Sequence, residues 1–233
     1  MIGTLVGIAI LCALGTWQVE RLTWKNGLIA AIGERIHAAP QSLDAIERRF
    51  AETGDVDYWP VELRGRFLHE GERYFLSTFD GAAGWNVYTP LLTTDGRLVF
   101  VNRGFVPYEM RDPARRQDGQ IEGEVTITGL ARTAPTEKPG MFVPDNEPAQ
   151  RTFFWRDVDA MAEGLDRPAG VRLVPFLVDQ AKTDVPGGYP VGGTTVIDLP
   201  NDHLQYAVTW YGLAAGLAAV TAALLLKDRR SRP

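Results

Sequence analysis

The chain has 233 residues, of which 45% are apolar and 23% charged, so it can form one domain with a core of its own. This composition excludes a disordered, a collagen-like or a disulfide-built protein. Its 24 basic and 29 acidic residues give a formal net charge of −5, which leaves no basic excess for a phosphate backbone, so nucleic acid is not expected as a partner.

The first element is an apolar block over residues 1–19, which contain no charged side chain. As a helix rising about 1.5 Å per residue, it would be roughly 28 Å long, which matches the hydrocarbon core of a bilayer. A cleaved signal peptide is the alternative, but the block lacks a basic start and a small-residue cleavage site before Glu20. The sequence therefore predicts a transmembrane helix. The helical pattern continues beyond this span to about His37.

The segment that follows is predicted to contain few helices and many strands. Ser42 is expected to cap a short helix over residues 43–51, and a second short helix is expected over residues 157–163. Strands are predicted at residues 61–67, 73–79, 86–92, 97–101, 124–130 and 171–178. These elements predict an α+β membrane protein in which one mostly antiparallel β-sheet or partial barrel forms the extracytoplasmic domain.

Two polar segments between these strands are predicted to be turns. The stretch of residues 69–72, His-Glu-Gly-Glu, is interpreted as a charged turn between strands. Gly104 is interpreted as a turn residue directly after a strand. The preceding Arg103 either pairs within the fold or docks a partner, and pairing within the fold is favoured.

A second apolar block, residues 207–226, predicts a second transmembrane helix, and a basic tail follows it. By the positive-inside rule this tail, and with it both termini, is expected on the cytoplasmic side. The predicted organisation is a span at 1–19, a soluble extracytoplasmic domain at 20–203, a span at 204–226 and a cytoplasmic tail at 227–233. The glycine pairs Gly3/Gly7 and Gly212/Gly216 permit close helix contacts, between these spans or with a partner.

Patterns that carry catalysis are missing from the sequence. Its three histidines lack zinc-protease spacing, and a single cysteine allows no Cys-x-x-Cys motif. There is no Gly-x-Ser-x-Gly elbow, Walker loop or dinucleotide fingerprint. The protein is therefore predicted not to be an enzyme.

The head of the second span carries the clearest candidate for ligand chemistry. His203 shares a helix face with Tyr206 and Trp210, so its imidazole is a candidate metal ligand, the axial ligand of haem iron, with aromatic rings to cover the porphyrin. The alternative is an interfacial histidine in an aromatic belt. On the first helix, Trp17, Arg21 and Trp24 are candidates to meet haem propionates, although an interfacial anchor in membrane lipid is the favoured interpretation.

Several stretches resemble the Surfeit locus protein family, in the family's order and over essentially the whole chain. They are residues 14–25, Gly84 to Leu91, Val101 to Pro107, Phe154 to Asp157 and Asn201 to Leu213. The resemblance implies a two-pass inner-membrane assembly factor for haem-copper cytochrome c oxidase, which acts on subunit I and in bacterial members is linked to haem a. The family's histidine at the head of the second span corresponds to His203. Two departures are Asp202, where the family usually has Asn, and Phe105, where it usually has Trp.

Two hypotheses follow for a bacterial inner-membrane protein of the respiratory chain. In the first, the protein is a chaperone that holds haem a transiently, through His203, for cytochrome c oxidase subunit I. In the second, it is a scaffold without cofactor that holds subunit I or a haem A synthase during assembly. A membrane-anchored enzyme is the weakest alternative, because no nucleophile and base pattern exists.

Overall fold

The computed structural model describes residues 2–195 and 199–230, so Met1 of the first predicted span and the end of the predicted tail lie outside the described residues. The chain forms two compact units, one of residues 1–34 with 197–233 and one of residues 35–196. The helices are α1 (Ile2–Ile36), α2 (Leu43–Thr53), α3 (Val158–Ala162) and α4 (His203–Arg230). The strands are β1 (Gln41–Ser42), β2 (Pro60–Phe67), β3 (Arg73–Phe79), β4 (Ala82–Thr93), β5 (Arg97–Pro107), β6 (Val125–Thr133), β7 (Thr152–Phe153) and β8 (Arg172–Gln180).

The first unit consists of α1 and α4. Both helices are long and apolar enough to cross a membrane, and most of their apolar side chains are exposed in the structure. Helices of this kind that are not covered by protein need another apolar environment, which a bilayer provides. The two predicted apolar helices that flank a β-rich unit are confirmed.

The second unit is built on a closed five-stranded barrel in the order β2-β6-β8-β5-β4, and β4 pairs back to β2. All neighbours in this ring are antiparallel except β5 and β8, which are parallel. Gly65 allows the closure, because a Cβ atom there would lie 2.3 Å from the Leu92 carbonyl oxygen. The prediction of a mostly antiparallel sheet or partial barrel is confirmed, and the barrel is complete.

The barrel interior is filled by apolar side chains from all five strands and from α2. Leu43 and Ile46 of α2 are buried, and the Phe50 and Phe176 rings lie 5.7 Å apart. Helix α2 is capped at its N-terminus by Ser42, because the Ser42 hydroxyl accepts a hydrogen bond from the Ala45 amide. The amphipathic face of this capped helix covers the barrel core.

A second apolar cluster lies where β3, β4 and β7 meet α3. The Phe75 ring lies 4.5 Å from Tyr88 and 5.6 Å from Phe153, and α3 contributes the fully buried Met161. Helix α3 is capped by Asp157, whose carboxylate accepts from the Ala160 amide. This cluster holds the β3–β4 hairpin, which extends the sheet beyond the barrel ring.

Gly104 corrects one sequence prediction, because it lies inside β5 and not in a turn. Its φ is +120°, and a Cβ atom there would lie 1.8 Å from the Val191 carbonyl oxygen. The ladder between β4 and β5 shifts register beside it, so Arg103 is the extra residue of a β-bulge. The glycine therefore serves a bulge and a close backbone approach, which leave the strand intact as far as Pro107.

Candidate functional site

The two apolar helices are in contact at Gly15. This glycine is buried, and a Cβ atom there would lie 2.9 Å from the Tyr211 ring. The Tyr211 hydroxyl shares a 2.9 Å hydrogen bond with that of Thr16. Among the described residues of the predicted glycine pairs, only Gly7 lies near the other helix, since an added Cβ atom there would lie 3.4 Å from Leu217 Cδ2, whereas one at Gly3, Gly212 or Gly216 would meet open space.

His203 lies at the start of α4 and is hydrogen-bonded to Gln18 of α1. The His203 Nδ1 and Gln18 Oε1 atoms are 2.7 Å apart, and Gln18 is one of only three buried residues described on α1. An amide oxygen only accepts, so Nδ1 is the donor of this bond, and the tautomer that donates from Nδ1 has its lone pair on Nε2. Within the described part of the chain, the one hydrogen bond of the His203 ring is made by Nδ1, which leaves Nε2 available to a ligand.

A second polar pair lies near the same end of the helix pair. The Asn201 Nδ2 atom donates to Asn26 Oδ1 at 2.8 Å. Polar groups in an apolar setting are stabilised when they bond to each other. These two bonds, with the contacts at Gly15 and Thr16, fix the register of α1 against α4 and so position the His203 ring.

Most of the aromatic residues predicted for this site have exposed side chains. Trp17, Trp24 and Tyr206 are 51%, 54% and 54% exposed, and Trp210 is half-buried. The Arg21 guanidinium lies 4.4 Å from the centre of the Trp24 ring. In the described residues, no hydrogen bond, ion pair or ring contact joins this group to His203, so the role of these side chains in one site stays a prediction.

The metal-binding chemistry open to this site is narrow. Among residues 2–195 and 199–230, no three His, Cys, Asp or Glu side chains are grouped to hold a metal ion. His203 alone offers one nitrogen, which is too few donors for a bare ion but sufficient as an axial ligand of a metal already held by a macrocycle.

The barrel unit contains a buried charge cluster that sequence analysis missed. Glu72 is fully buried, and both of its carboxylate oxygens accept from Arg116. The Tyr74 hydroxyl donates to Glu72 Oε2 at 3.1 Å, and Arg103 Nη1 lies 4.0 Å from Glu72 Oε1. A short helical turn at His69–Gly71 agrees with the predicted turn, but the sequence gives no sign that the next residue is buried.

Arg103 pairs within the fold, as predicted. Its Nη2 atom donates to the Gly119 carbonyl at 2.6 Å, and its guanidinium lies 4.8 Å from the centre of the Phe67 ring. Burial lowers the pKa of Arg103 to about 10, although the nearby Glu72 charge acts in the opposite direction. The residue therefore stabilises the barrel unit from inside and is not displayed to a partner.

The fold and site define a class of protein with two apolar helices, each able to span a bilayer, and a closed β-barrel unit between them in the sequence. Residues 5–215 match the sequence model of the SURF1 family. The chain belongs to the SURF1 family, which confirms the resemblance found in the sequence.

Curated relatives cover most of the chain. The chain is 41% identical over 219 residues to Surfeit locus protein 1 of Homo sapiens, which covers 87% of this chain and 69% of the relative. It is 37% identical over 232 residues to Surfeit locus protein 1 of Takifugu rubripes, with 92% of each chain covered. A SURF1-like protein of Monosiga brevicollis is 38% identical, with 87% and 78% covered. The family match at residues 5–215 includes most of α1, the barrel unit and the first part of α4.

Proposed function

We propose that the protein is a non-catalytic assembly factor for haem-copper cytochrome c oxidase, which holds haem a as cargo for subunit I. Family membership supports the assembly role, because the resemblance to Surfeit locus proteins implies it. The observation that carries the haem proposal is the hydrogen bond between Gln18 and the His203 Nδ1 atom, which leaves Nε2 for iron.

The surrounding side chains support haem as the cargo. A porphyrin is a flat apolar ring with two carboxylates, so it needs aromatic or apolar cover and a cation near its edge. Tyr206 and Trp210 offer rings on the same helix as His203. On α1, Arg21 offers a cation over the Trp24 ring, and Trp17 offers a further exposed ring. In this proposal, Gln18 orients the His203 ring, and the aromatic side chains cover the porphyrin faces.

For its location, we propose a two-pass protein of the bacterial inner membrane, with the barrel unit in the periplasm and both termini in the cytoplasm. The positive-inside rule supports this orientation, because residues 227–232 contain four basic side chains and directly follow the second apolar block, residues 207–226. In this orientation, the barrel unit would lie in the periplasm, where it could contact the periplasmic loops of membrane-protein partners. The proposed partners are subunit I and a haem A synthase.

The test is the visible absorption spectrum of the detergent-purified protein from cells that synthesise haem a. We expect a Soret band and a haem a α-band in the parent, and their loss in His203→Ala. Gln18→Leu is expected to keep part of the haem but to shift the bands, because the ring loses its orienting bond. Gln205→Ala is the matched control, since Gln205 is an exposed residue of the same helix.

Each outcome separates the two hypotheses. Colourless protein from every variant removes the haem proposal and leaves the scaffold that holds subunit I or a haem synthase. Equal colour in the parent and in His203→Ala places the haem elsewhere and returns His203 to the aromatic belt. If His203→Ala still forms a complex with subunit I, the scaffold role is supported, whether the protein is colourless or coloured.

A further inference from the structure

A cleft on the barrel unit is lined in part by three of the stretches that resemble the Surfeit locus family, Gly84 to Leu91, Val101 to Pro107 and Phe154 to Asp157. The haem proposal does not use these stretches. The cleft has a volume of about 410 Å³ and is lined on one side by Leu76, Ser77 and Thr78 of β3. Asn86 of β4 and the pair Trp155 and Arg156 line it as well. The cleft thus has a strand along one side and aromatic and polar groups along the others.

The strand that lines the cleft has a free edge. β3 pairs with β4 along its whole length, but β7 pairs only with Tyr74 and Phe75 on the other side. The Tyr74 amide donates outward, to the Arg151 carbonyl, and backbone groups two and four residues later point to the same edge. The Thr78 N–H therefore points away from β4, and no described strand pairs with it.

The charge of the cleft is not balanced. Asp179 accepts hydrogen bonds from Asn102 and Arg132, both at 3.0 Å, so its charge is compensated. Arg156 has no ion-pair or hydrogen-bond partner in the described parts of the chain. The Asn86 Oδ1 atom is buried and likewise lacks a donor there. The cleft therefore offers a cation for a carboxylate and an acceptor for an N–H group.

We propose that this cleft binds an extended peptide segment of a partner protein, which pairs with the free edge of β3 and places an acidic side chain against Arg156. An extended peptide satisfies an unpaired strand edge by backbone hydrogen bonds, and side-chain pockets supply the selectivity. The half-exposed Leu76 offers apolar contact beside that edge. This inference uses only the barrel unit, so it stands or falls separately from the haem proposal.

The experiment is a selection of displayed random dodecamer peptides on the immobilised, detergent-purified full chain. Enriched peptides are then synthesised with a fluorophore, and their binding is measured by anisotropy. We expect enriched sequences to contain Asp or Glu among β-branched residues and to lack central proline. Thr78→Pro removes the outward N–H and is expected to weaken binding about tenfold, whereas Thr78→Val keeps the N–H and binds like the parent.

A second pair of variants tests the charge and stays informative if Thr78→Pro fails to fold. Arg156→Gln is expected to weaken binding about tenfold and to reduce its salt dependence, because it removes the charge-assisted bond. Arg66→Gln is the matched control, as Arg66 is exposed on β2 and does not line the cleft.

Three results would overturn the proposal. The first is that no peptide is enriched. The second is that enriched peptides bind the parent and both charge variants equally, which would place them elsewhere. The third is a dimer of the parent that Thr78→Pro abolishes and no peptide displaces, which would make a second copy of the chain the occupant.

Discussion

At the residue scale, Glu72 places a fully buried charge inside the barrel unit. It is fully buried between Arg116 and Arg103, so its loss leaves buried cations without an anion. We expect Glu72→Gln to lower the free energy of unfolding by about 3–5 kcal/mol. Denaturant unfolding of the detergent-purified chain, followed by near-UV circular dichroism, measures this. Glu62→Gln, on the exposed side of β2, is the control, and equal stability of the two variants would refute the argument.

Gly104 gives a second prediction at this scale. Its φ of +120° disfavours any side chain, and a Cβ atom would overlap the Val191 carbonyl. We expect Gly104→Ala to destabilise the barrel unit by at least about 3 kcal/mol, because strain and overlap act together. Gly123 also has a positive φ but open space around it, so Gly123→Ala should cost only about 1 kcal/mol. Both variants place a side chain at a positive φ. The difference between their unfolding midpoints therefore reports the additional effect of the overlap with the Val191 carbonyl.

At the element scale, α2 is held to the barrel by a network of charges. Glu47 accepts two hydrogen bonds from Arg172, at 2.5 and 2.9 Å, and one from Arg97 at 2.6 Å. Burial raises the pKa of Glu47, but the bonds from Arg172 and Arg97 outweigh it, so this pKa lies below its ordinary value of 4.5. The carboxylate therefore stabilises the fold when it is ionised, and both arginines remain charged throughout.

This network makes the stability of the barrel unit depend on pH. A lowered folded-state pKa gives stability that is complete above the ordinary value of 4.5 and is lost as the pH falls through the folded-state pKa. We expect Glu47→Gln to cost about 1 kcal/mol at neutral pH, and the difference from the parent to shrink below pH 4.5. Unfolding curves at several pH values measure this, with the exposed Glu52→Gln as control. A difference that does not change with pH would contradict it.

The elements that sequence analysis predicted are those with a local signal. Apolar runs without charge predicted α1 and α4, the Ser42 cap predicted α2, and short runs of residues typical of strands, with alternation in the first of them, predicted the six longer strands. The strands β1 and β7 were missed because two residues carry no periodicity. The bulge at Arg103 was missed because a glycine after a strand indicates a turn and a bulge equally well.

At the scale of the whole molecule, the features that sequence could not predict join distant parts of the chain. Barrel closure depends on β2 pairing with β4 and on β5 running parallel to β8, and neither pairing leaves a pattern in one segment. The partner of Glu72 is Arg116, from the short 3₁₀-helical segment Pro113–Gly119 later in the chain. In the candidate site, His203 was found from its place on a helix, whereas its partner Gln18 was not, because only packing of α1 on α4 brings them together. The sequence thus identifies which residue types are present, whereas contacts between distant segments determine what surrounds each of them in the fold.

The orientation of the whole chain in a membrane is the remaining prediction. Cys12 is its single cysteine, so Cys12→Ala gives a background into which reporter cysteines can be placed. Glu122 is exposed on the barrel unit and Lys227 is exposed near the end of α4. In intact spheroplasts with a membrane-impermeant maleimide, we expect Glu122→Cys to be labelled at once and Lys227→Cys only after lysis. This follows because the basic tail should stay cytoplasmic while two spans place the barrel unit outside. The reverse pattern would put the barrel unit in the cytoplasm, and labelling of both sites before lysis would show that the chain does not cross the membrane twice.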